Sequence, residues 1–383
     1  MLRTEKVQIW TGNQAVAEAA ILARPEVVAA YPITPSTPII QRLSDAINSG
    51  ELKGQFIAVE SEHAAMSGSI GASVTGARAF TATSAHGLLY MMEMIYWAGL
   101  GRLPMTMALV NRALAPGWSI WVDHADLYSM RDAGWIQLVA KNNQEAYDLI
   151  IQSFKISEDH GVYLPSAVNL DGFVLSHVAG QVEELSQKFV DDFLPPFDPI
   201  FTMNPKNPVS FGSLTLPDDY KLLRQDLVDS MERAKTKIKA VTSEFAELSG
   251  RNWGQMIETY GPSDADVGII AMGTLAEEVE EAVDTLNSKN SGTYGSLRVR
   301  AFRPFPIEDI LDASKHYDKL IVLDRGFSFG STPPLFTEVR NALYEKDKRI
   351  PIQSCVIGFG GADVNYREIV DLVLDIQKKE GFN

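Results

Sequence analysis

The sequence predicts an α/β protein of two domains, the first a mostly parallel sheet with helices on both faces, the second a smaller unit of the same kind. Three observations predict it. Residues 1–175 alternate short β-rich runs with longer helical patterns, the stretch from Val174 to Pro217 breaks that rhythm with six prolines, and a second alternation begins near residue 261. Alternation of this kind is what βαβ units produce. The 383 residues also match two or three domains at roughly 150 residues each.

The elements follow in order. Strand candidates in the first part are VQIW, VVAAYPI, FIAVE, ARAFTATS, MTMALVN and VYLPSAVNL, with helical spacing at Asn13–Leu22, Pro38–Ile47, His63–Val74, Gly87–Trp97 and Gln144–Glu158. Val174 to Pro217 reads as an extended connection. Asp218–Gly250 sets apolar residues at helical spacing among Glu, Lys and Arg, the pattern of one long amphipathic helix. The second series is ADVGIIAMG, helix TLAEEVEEAVDTLN, strand SLRVRAF, a helix over Ile307–His316, strand KLIVLDRG, a helix through Phe336–Tyr344, strand IPIQSCVIGFG and a terminal helix from Asn365. The expected organisation is a first domain over 1–217, a helical linker over 218–260 and a second domain over 261–383.

Composition narrows the function classes. A net charge of −15 disfavours nucleic acid or an anionic membrane as a partner of the general surface. The single Cys355 permits no intramolecular disulfide, no CxxC pair and no four-thiolate iron–sulfur cradle. The six histidines show neither HxH nor HxxxH spacing, so no metal site is expected from this chain alone. The first residues lack the apolar run of a signal peptide, and the richest apolar window, Leu88–Leu100, contains Glu93, so a cytoplasmic protein without a membrane span is expected. Sequences of the types GxxxxGK[ST], GxGxxG after a strand and HExxH are absent.

In parallel sheets ligands gather at the carboxyl ends of strands, and four segments there carry unusual residues. In Tyr31-Pro-Ile-Thr-Pro-Ser36 two prolines hold the chain extended while Thr34, Ser36 and Thr37 crowd a strand end. A helix N-cap accounts equally well for Ser36 and Thr37, but less readily for Thr34. The segment Val59–Ala72 (VESEHAAMSGSIGA) ends a strand in two acids and continues as a helix of small residues. Glu60 and Glu62 suit a helix N-terminus electrostatically, and equally suit a buried carboxylate facing a nitrogen heterocycle. The segment Thr83–Glu93 (TSAHGLLYMME) runs from a strand through Ser84 and Gly87 into an apolar helix; its methionines read as core. From Asn111 to Trp135, Arg112 emerges at a strand end with the fork geometry that grips carboxylates, and Trp118, Trp121 and Trp135 either wall a pocket or bury a loop.

Taken together, TGNQAVAEAA, YPITPST, VESEHAAMSGSIGA, TSAHGLLYMMEMIYWAGLGRLP, VNRALAP with DHADLYSMRDAGW, AFRPFP and GFGGADV, seven blocks in register, resemble the α subunit of a 2-oxoacid:ferredoxin oxidoreductase, most closely the pyruvate synthase branch. The resemblance implies a thiamine-enzyme pyrimidine-binding domain followed by a transketolase C-terminal-like domain. It implies that Glu62 hydrogen-bonds N1′ of the aminopyrimidine, with Glu60 the alternative at a register two residues away. Thr34 and Arg112 would meet the substrate carboxylate, and Pro32, Ile33, Ser84 and Gly87 would line the cofactor. It further implies oxidative decarboxylation of a 2-oxoacid, transfer of the acyl group to coenzyme A, and electron delivery to ferredoxin or another acceptor.

The chain lacks a GDG…N signature, since LDGF at Leu170–Phe173 has no preceding Gly. The family pattern then assigns the diphosphate and Mg²⁺ site to a β subunit. It assigns [4Fe–4S] clusters to partners of δ type, with a γ-type subunit completing the complex. Pyruvate is the expected substrate; branched or aromatic 2-oxoacids such as phenylglyoxylate are the alternatives. Ala-Leu-Ala-Pro-Gly-Trp-Ser-Ile-Trp departs from the family at Trp118, where a bulky indole tightens a pocket around a methyl group or stacks on an aromatic ring. A non-catalytic paralogue that keeps the fold would lack Thr34, Glu62 or Arg112, and all three are present.

Overall fold

The computed structural model describes residues 4–262, 264–289, 292–344 and 350–378. Its largest sheet has seven strands in the order Ala301–Arg303, Ile136–Val139, Ser166–Asp171, Thr106–Asn111, Ala79–Thr83, Val27–Ala30, Gln55–Ala58. All neighbours are parallel except the first pair. A second sheet of five runs Ile352–Val356, Tyr317–Asp324, Ala265–Ala271, Tyr294–Val299, Ile257–Tyr260, with only the last strand antiparallel. The mixed α/β class with parallel sheets is therefore as expected.

Helix limits follow written caps. Thr11 and Gln14 form a reciprocal capping box at the start of Gly12–Ala23. Ser61 caps Glu62–Val74, and Asn142 caps Asn143–Ser157. The long helix spans Pro217–Ser249, opening on Pro217 with Asp218 and Asp219 in its first turn and closing at Gly250, whose φ of +79° suits glycine.

Helices Gly12–Ala23, Thr37–Ser49, Asn143–Ser157 and Pro217–Ser249 bury one face of the large sheet. Helices Glu62–Val74 and Ala85–Leu100 bury the other, and that layer runs on into the second sheet, since Met66, Leu88 and Met91 share a core with Leu297, Leu320 and Val322. The methionines behave as expected: Met91 is fully buried, and Met92 and Met94 pack against the core.

Four local readings change. The segment containing VQIW leaves the parallel sheet and pairs antiparallel with Ala179–Leu185 as a two-stranded ribbon, its Val7 and Ile9 exposed. The stretch from Val174 to Pro217 is therefore not wholly extended connection: it holds that strand and the helix Gln187–Phe193, capped by Ser186 and anchored by buried Val190 and Phe193. The strand Ile136–Val139 is an addition, and Ile257–Tyr260 follows the long helix as a strand of the second sheet. SLRVRAF divides at Arg300: Tyr294–Val299 stays in the second sheet, while Ala301–Arg303 crosses to the first and pairs with Ile136–Val139. The crossing is fixed by buried charge. Arg298 and Arg300, both at most 2% exposed, converge on fully buried Glu145 at 2.6–3.0 Å.

The closest backbone approach involves Gly99 on helix Ala85–Leu100, where a Cβ would collide with the Ala133 carbonyl oxygen. Gly99→Ala is expected to cost about 1–3 kcal/mol through overpacking that backbone cannot easily relieve. Urea unfolding of the assembled protein measures it; an unshifted midpoint would show that the helix can retreat.

Candidate active site

Four loops meet at the carboxyl end of the large sheet, each following a parallel strand. The first follows Val27–Ala30. Its Ser36 hydroxyl donates to the Ile33 carbonyl at 2.8 Å rather than capping the next helix, so the cap explanation for Ser36 fails. Asn13 Nδ2 donates to the Pro35 carbonyl at 2.8 Å and holds the turn from behind. Pro32 and Thr34 are exposed on this loop and Ile33 is half-buried.

The second loop follows Gln55–Ala58 and ends in the helix Glu62–Val74. Ser61 supplies its cap, so Glu62 is free of that task. Glu62 is buried at 8% exposure, whereas Glu60 is exposed. Glu62 is also the acid of the first turn, a position the helix dipole favours. No residue among those described hydrogen-bonds its carboxylate.

The third loop starts where Ala79–Thr83 ends. A Cβ on Gly87 would press on Thr83 Oγ1 and lie 2.9 Å from Glu62 Oε1, so the missing side chain leaves the hollow that Glu62 faces. The Thr83 and Ser84 hydroxyls are buried with no hydrogen-bond partner. Buried polar groups are normally paired, and a carboxylate without a partner stands beside the Thr83 hydroxyl. The set of donors and acceptors fits the edge of an aminopyrimidine, which offers ring nitrogen and amino group together.

The fourth loop leaves Thr106–Asn111 at Arg112. The guanidinium is 5% exposed and Nη1 donates to the Thr34 carbonyl at 2.7 Å, which brings these two predicted residues together. Arg112 Nε is buried without a partner. Burial pulls the Arg112 pKa down, and the Asp126 charge only partly opposes this. Among the described residues no carboxylate forms a salt bridge with it. A buried cation without a salt bridge is a receptor for an anion.

Sequence reading missed the supports. Asp126, fully buried, accepts from the Ala85 and Arg112 backbone N–H at 3.0 Å each and from Asn111 Nδ2 at 2.9 Å. Burial pushes its pKa up to about 6 against these donors. His86 Nε2 accepts from Ala115 N–H at 3.1 Å and steadies the arginine loop.

The second domain grips the same loop. Ser119 Oγ donates to Gly360 O, Gly361 N–H donates to Val122 O, and His124 N–H donates to Arg325 O, at 2.9–3.1 Å. Asp171, from the LDGF segment, joins His124, Thr274 and Arg325 at 2.6–2.9 Å. Burial opposes its ionisation, but Arg325 and His124 hold its pKa below the usual carboxylate range. The residue types DHAD were visible in the sequence, but which acid is buried is a tertiary fact.

The tryptophans divide. Trp135 is core, its indole N–H donating to Ile95 O at 2.8 Å, while Trp121 packs tilted against Phe173 with ring centres 4.5 Å apart and Trp118 is 70% exposed. No helix among the described residues is long and apolar enough to cross a membrane.

Comparison with known proteins shows the family and the fold. Residues 18–243 match the family described as pyruvate flavodoxin/ferredoxin oxidoreductase, thiamine diP-binding, and residues 265–369 match pyruvate:ferredoxin oxidoreductase core domain II. The ketoisovalerate oxidoreductase subunit VorA of Pyrococcus horikoshii is 45% identical over 97% of this chain and 94% of its own. The pyruvate synthase subunit PorA of Methanothermobacter thermautotrophicus is 41% identical over 98% and 96%. Among solved structures, 2-oxoglutarate:ferredoxin oxidoreductase from Magnetococcus marinus matches with a TM-score of 0.74 at 20% identity, covering 96% of this chain and 65% of that longer one. A split-gene transketolase matches at 0.57 and 13% identity, over 95% and 97%. These two carry the fold alone.

Proposed function

The chain belongs to the pyruvate flavodoxin/ferredoxin oxidoreductase family with a thiamine diphosphate-binding domain, and from that premise we propose that it is the α-type subunit of a CoA-acylating 2-oxoacid:ferredoxin oxidoreductase complex. The observation that carries the reading is Arg112: a buried guanidinium with a partnerless Nε, fixed to Thr34 at the carboxyl ends of the strands, where ligands gather. That group holds the substrate carboxylate, and the exposed Thr34 lies beside it.

When bound, thiamine diphosphate supplies the electron sink that decarboxylation of a 2-oxoacid needs. Glu62 holds a proton at the ring nitrogen of the aminopyrimidine, which a carboxylate in a hollow does well. Thr83 and Ser84 hydroxyls bond the ring edge, Gly87 leaves its space, and Pro32 and Ile33 flank it. A β-type subunit completes the site with Mg²⁺ and the diphosphate pocket. Clusters of [4Fe–4S] type on δ-type partners would carry the electrons to ferredoxin or another acceptor, with a γ-type subunit completing the complex, because one cysteine cannot hold a cluster. The acyl group passes to coenzyme A.

Pyruvate is the leading substrate, supported by the PorA relatives. A branched-chain 2-oxoacid is the second reading, favoured by identities of 45–46% to VorA subunits against 39–41% to PorA subunits. Phenylglyoxylate stands behind both, since the ring invoked for stacking, Trp118, projects outward.

The test is ferredoxin reduction by the native complex with CoA and a panel of pyruvate, 2-oxoisovalerate and phenylglyoxylate. Pyruvate is expected to give the highest kcat/KM; a branched substrate ahead by tenfold selects the second reading, and no reduction with any 2-oxoacid ends the proposal. In the same complex Arg112→Ala is expected to raise KM roughly 10- to 100-fold, the worth of a charge-assisted hydrogen bond.

A further inference from the structure

Asp126 touches neither the hollow beside Glu62 nor the free face of Arg112, yet it joins the two loops that form them. Its Oδ2 accepts from Ala85 N–H and Arg112 N–H, both at 3.0 Å, and its Oδ1 accepts from Asn111 Nδ2 at 2.9 Å and Leu127 N–H at 2.8 Å. One oxygen atom therefore ties the turn carrying Ser84 and Gly87 to the strand end carrying Arg112. The turn needs a tie, because Ala85 sits at φ +40°, where a residue with a Cβ is strained. Ala85 opens the helix that follows, so its N–H has no acceptor within that helix, and Asp126 supplies one.

We infer that Asp126 is a positioning residue, a buried clamp that sets the 2-oxoacid-gripping Arg112 in register with the cofactor-facing turn at Ser84–Gly87. The inference rests on the proposed roles of Arg112 and of that turn. What the clamp supplies is acceptor oxygen at one place, more than negative charge. An amide at position 126 keeps an oxygen for Ala85 and Arg112. Its NH₂ meets Asn111 Oδ1, which is buried and unpaired, once the Asn111 amide turns over, but the Leu127 N–H then loses its acceptor.

The experiment uses the whole complex, with KM and kcat for the 2-oxoacid measured for Asp126→Ala, Asp126→Asn, Arg112→Ala and the double variant Arg112→Ala/Asp126→Ala. D126A is expected to raise KM at least tenfold and D126N by a clearly smaller factor, since the amide keeps the oxygen shared by Ala85 and Arg112 and loses only the Leu127 N–H. The double variant should have a KM no higher than R112A alone, since the clamp acts through the arginine it positions. A wild-type KM in D126A, or KM factors that multiply in the double variant, would overturn the inference. D126N as impaired as D126A would also overturn it, by assigning the effect to charge. If D126A does not assemble, Asn111→Ala loosens the same carboxylate from the other side. It should raise KM severalfold, and an unchanged KM there counts against the clamp. Failure of the functional reading looks different: R112A itself would then leave KM unaltered.

Discussion

Glu62→Gln in the reconstituted complex is expected to lower kcat by about 10²- to 10⁴-fold, the usual worth of a positioned proton-transfer group, with KM for the 2-oxoacid nearly unchanged. The split follows from the geometry. Glu62 faces the hollow left by Gly87 and has no hydrogen bond within the chain among the described residues, whereas the carboxylate-binding group, Arg112, is held by the Thr34 carbonyl on another loop. Glutamine matches glutamate in size and still accepts a hydrogen bond, but it cannot hold the proton. The variant should therefore assemble normally, and its thermal unfolding should match wild type, because Ser61 caps the helix independently. Single-turnover decarboxylation separates the proton step from electron delivery. Full activity in E62Q would remove Glu62 from the site and return attention to Glu60, two residues earlier and exposed.

Much of this arrangement is legible in the chain, because the features that place it are local. Caps at Thr11, Ser61 and Asn142 mark helix starts, prolines and hydroxyls mark the loop around Thr34, and strand–helix alternation puts Glu62, Ser84 and Arg112 at one sheet end. What is not legible depends on partners far away in sequence. Nothing near Ala301–Arg303 announces that three residues will leave their sheet for another, since the cause is a carboxylate 155 positions earlier. Val7 and Ile9 read as part of a parallel-sheet strand but end exposed, because their neighbour is a ribbon partner, Ala179–Leu185, hidden in a stretch read as connection. Asp123 and Asp126 look alike in DHAD. Only the fold decides that Asp126 meets three backbone N–H groups in the dark interior while the Asp123 carboxylate bonds Ala125 N–H at the loop edge.

The largest stability effect is expected where the two sheets are joined. Glu145 is fully buried and accepts from Arg298 at 2.6 and 3.0 Å and from Arg300 Nε at 2.8 Å. Glu145→Gln leaves both guanidiniums buried against a neutral amide, and losing one member of such a group costs about 3–5 kcal/mol. Arg300 is the more exposed to this loss: its other bonds go to Thr242, Gln255 O and Gln152, none of them charged, whereas Arg298 keeps Glu258 at 2.8 Å. Replacing Glu145, Arg298 and Arg300 together by Leu, Met and Met should recover much of the deficit, because the cost lies in the unpaired charges. pH separates charge from packing. Burial disfavours the charged Glu145, but Arg298 and Arg300 prevail and hold its pKa below the ordinary 4.5. Its contribution is thus present above pH 4.5 and lost as pH falls through the lower folded value. The gap in urea midpoint between wild type and E145Q should narrow on acidification below that point; a gap constant from neutrality into that range would assign the loss to shape, and the joint between the sheets would then be held by packing alone.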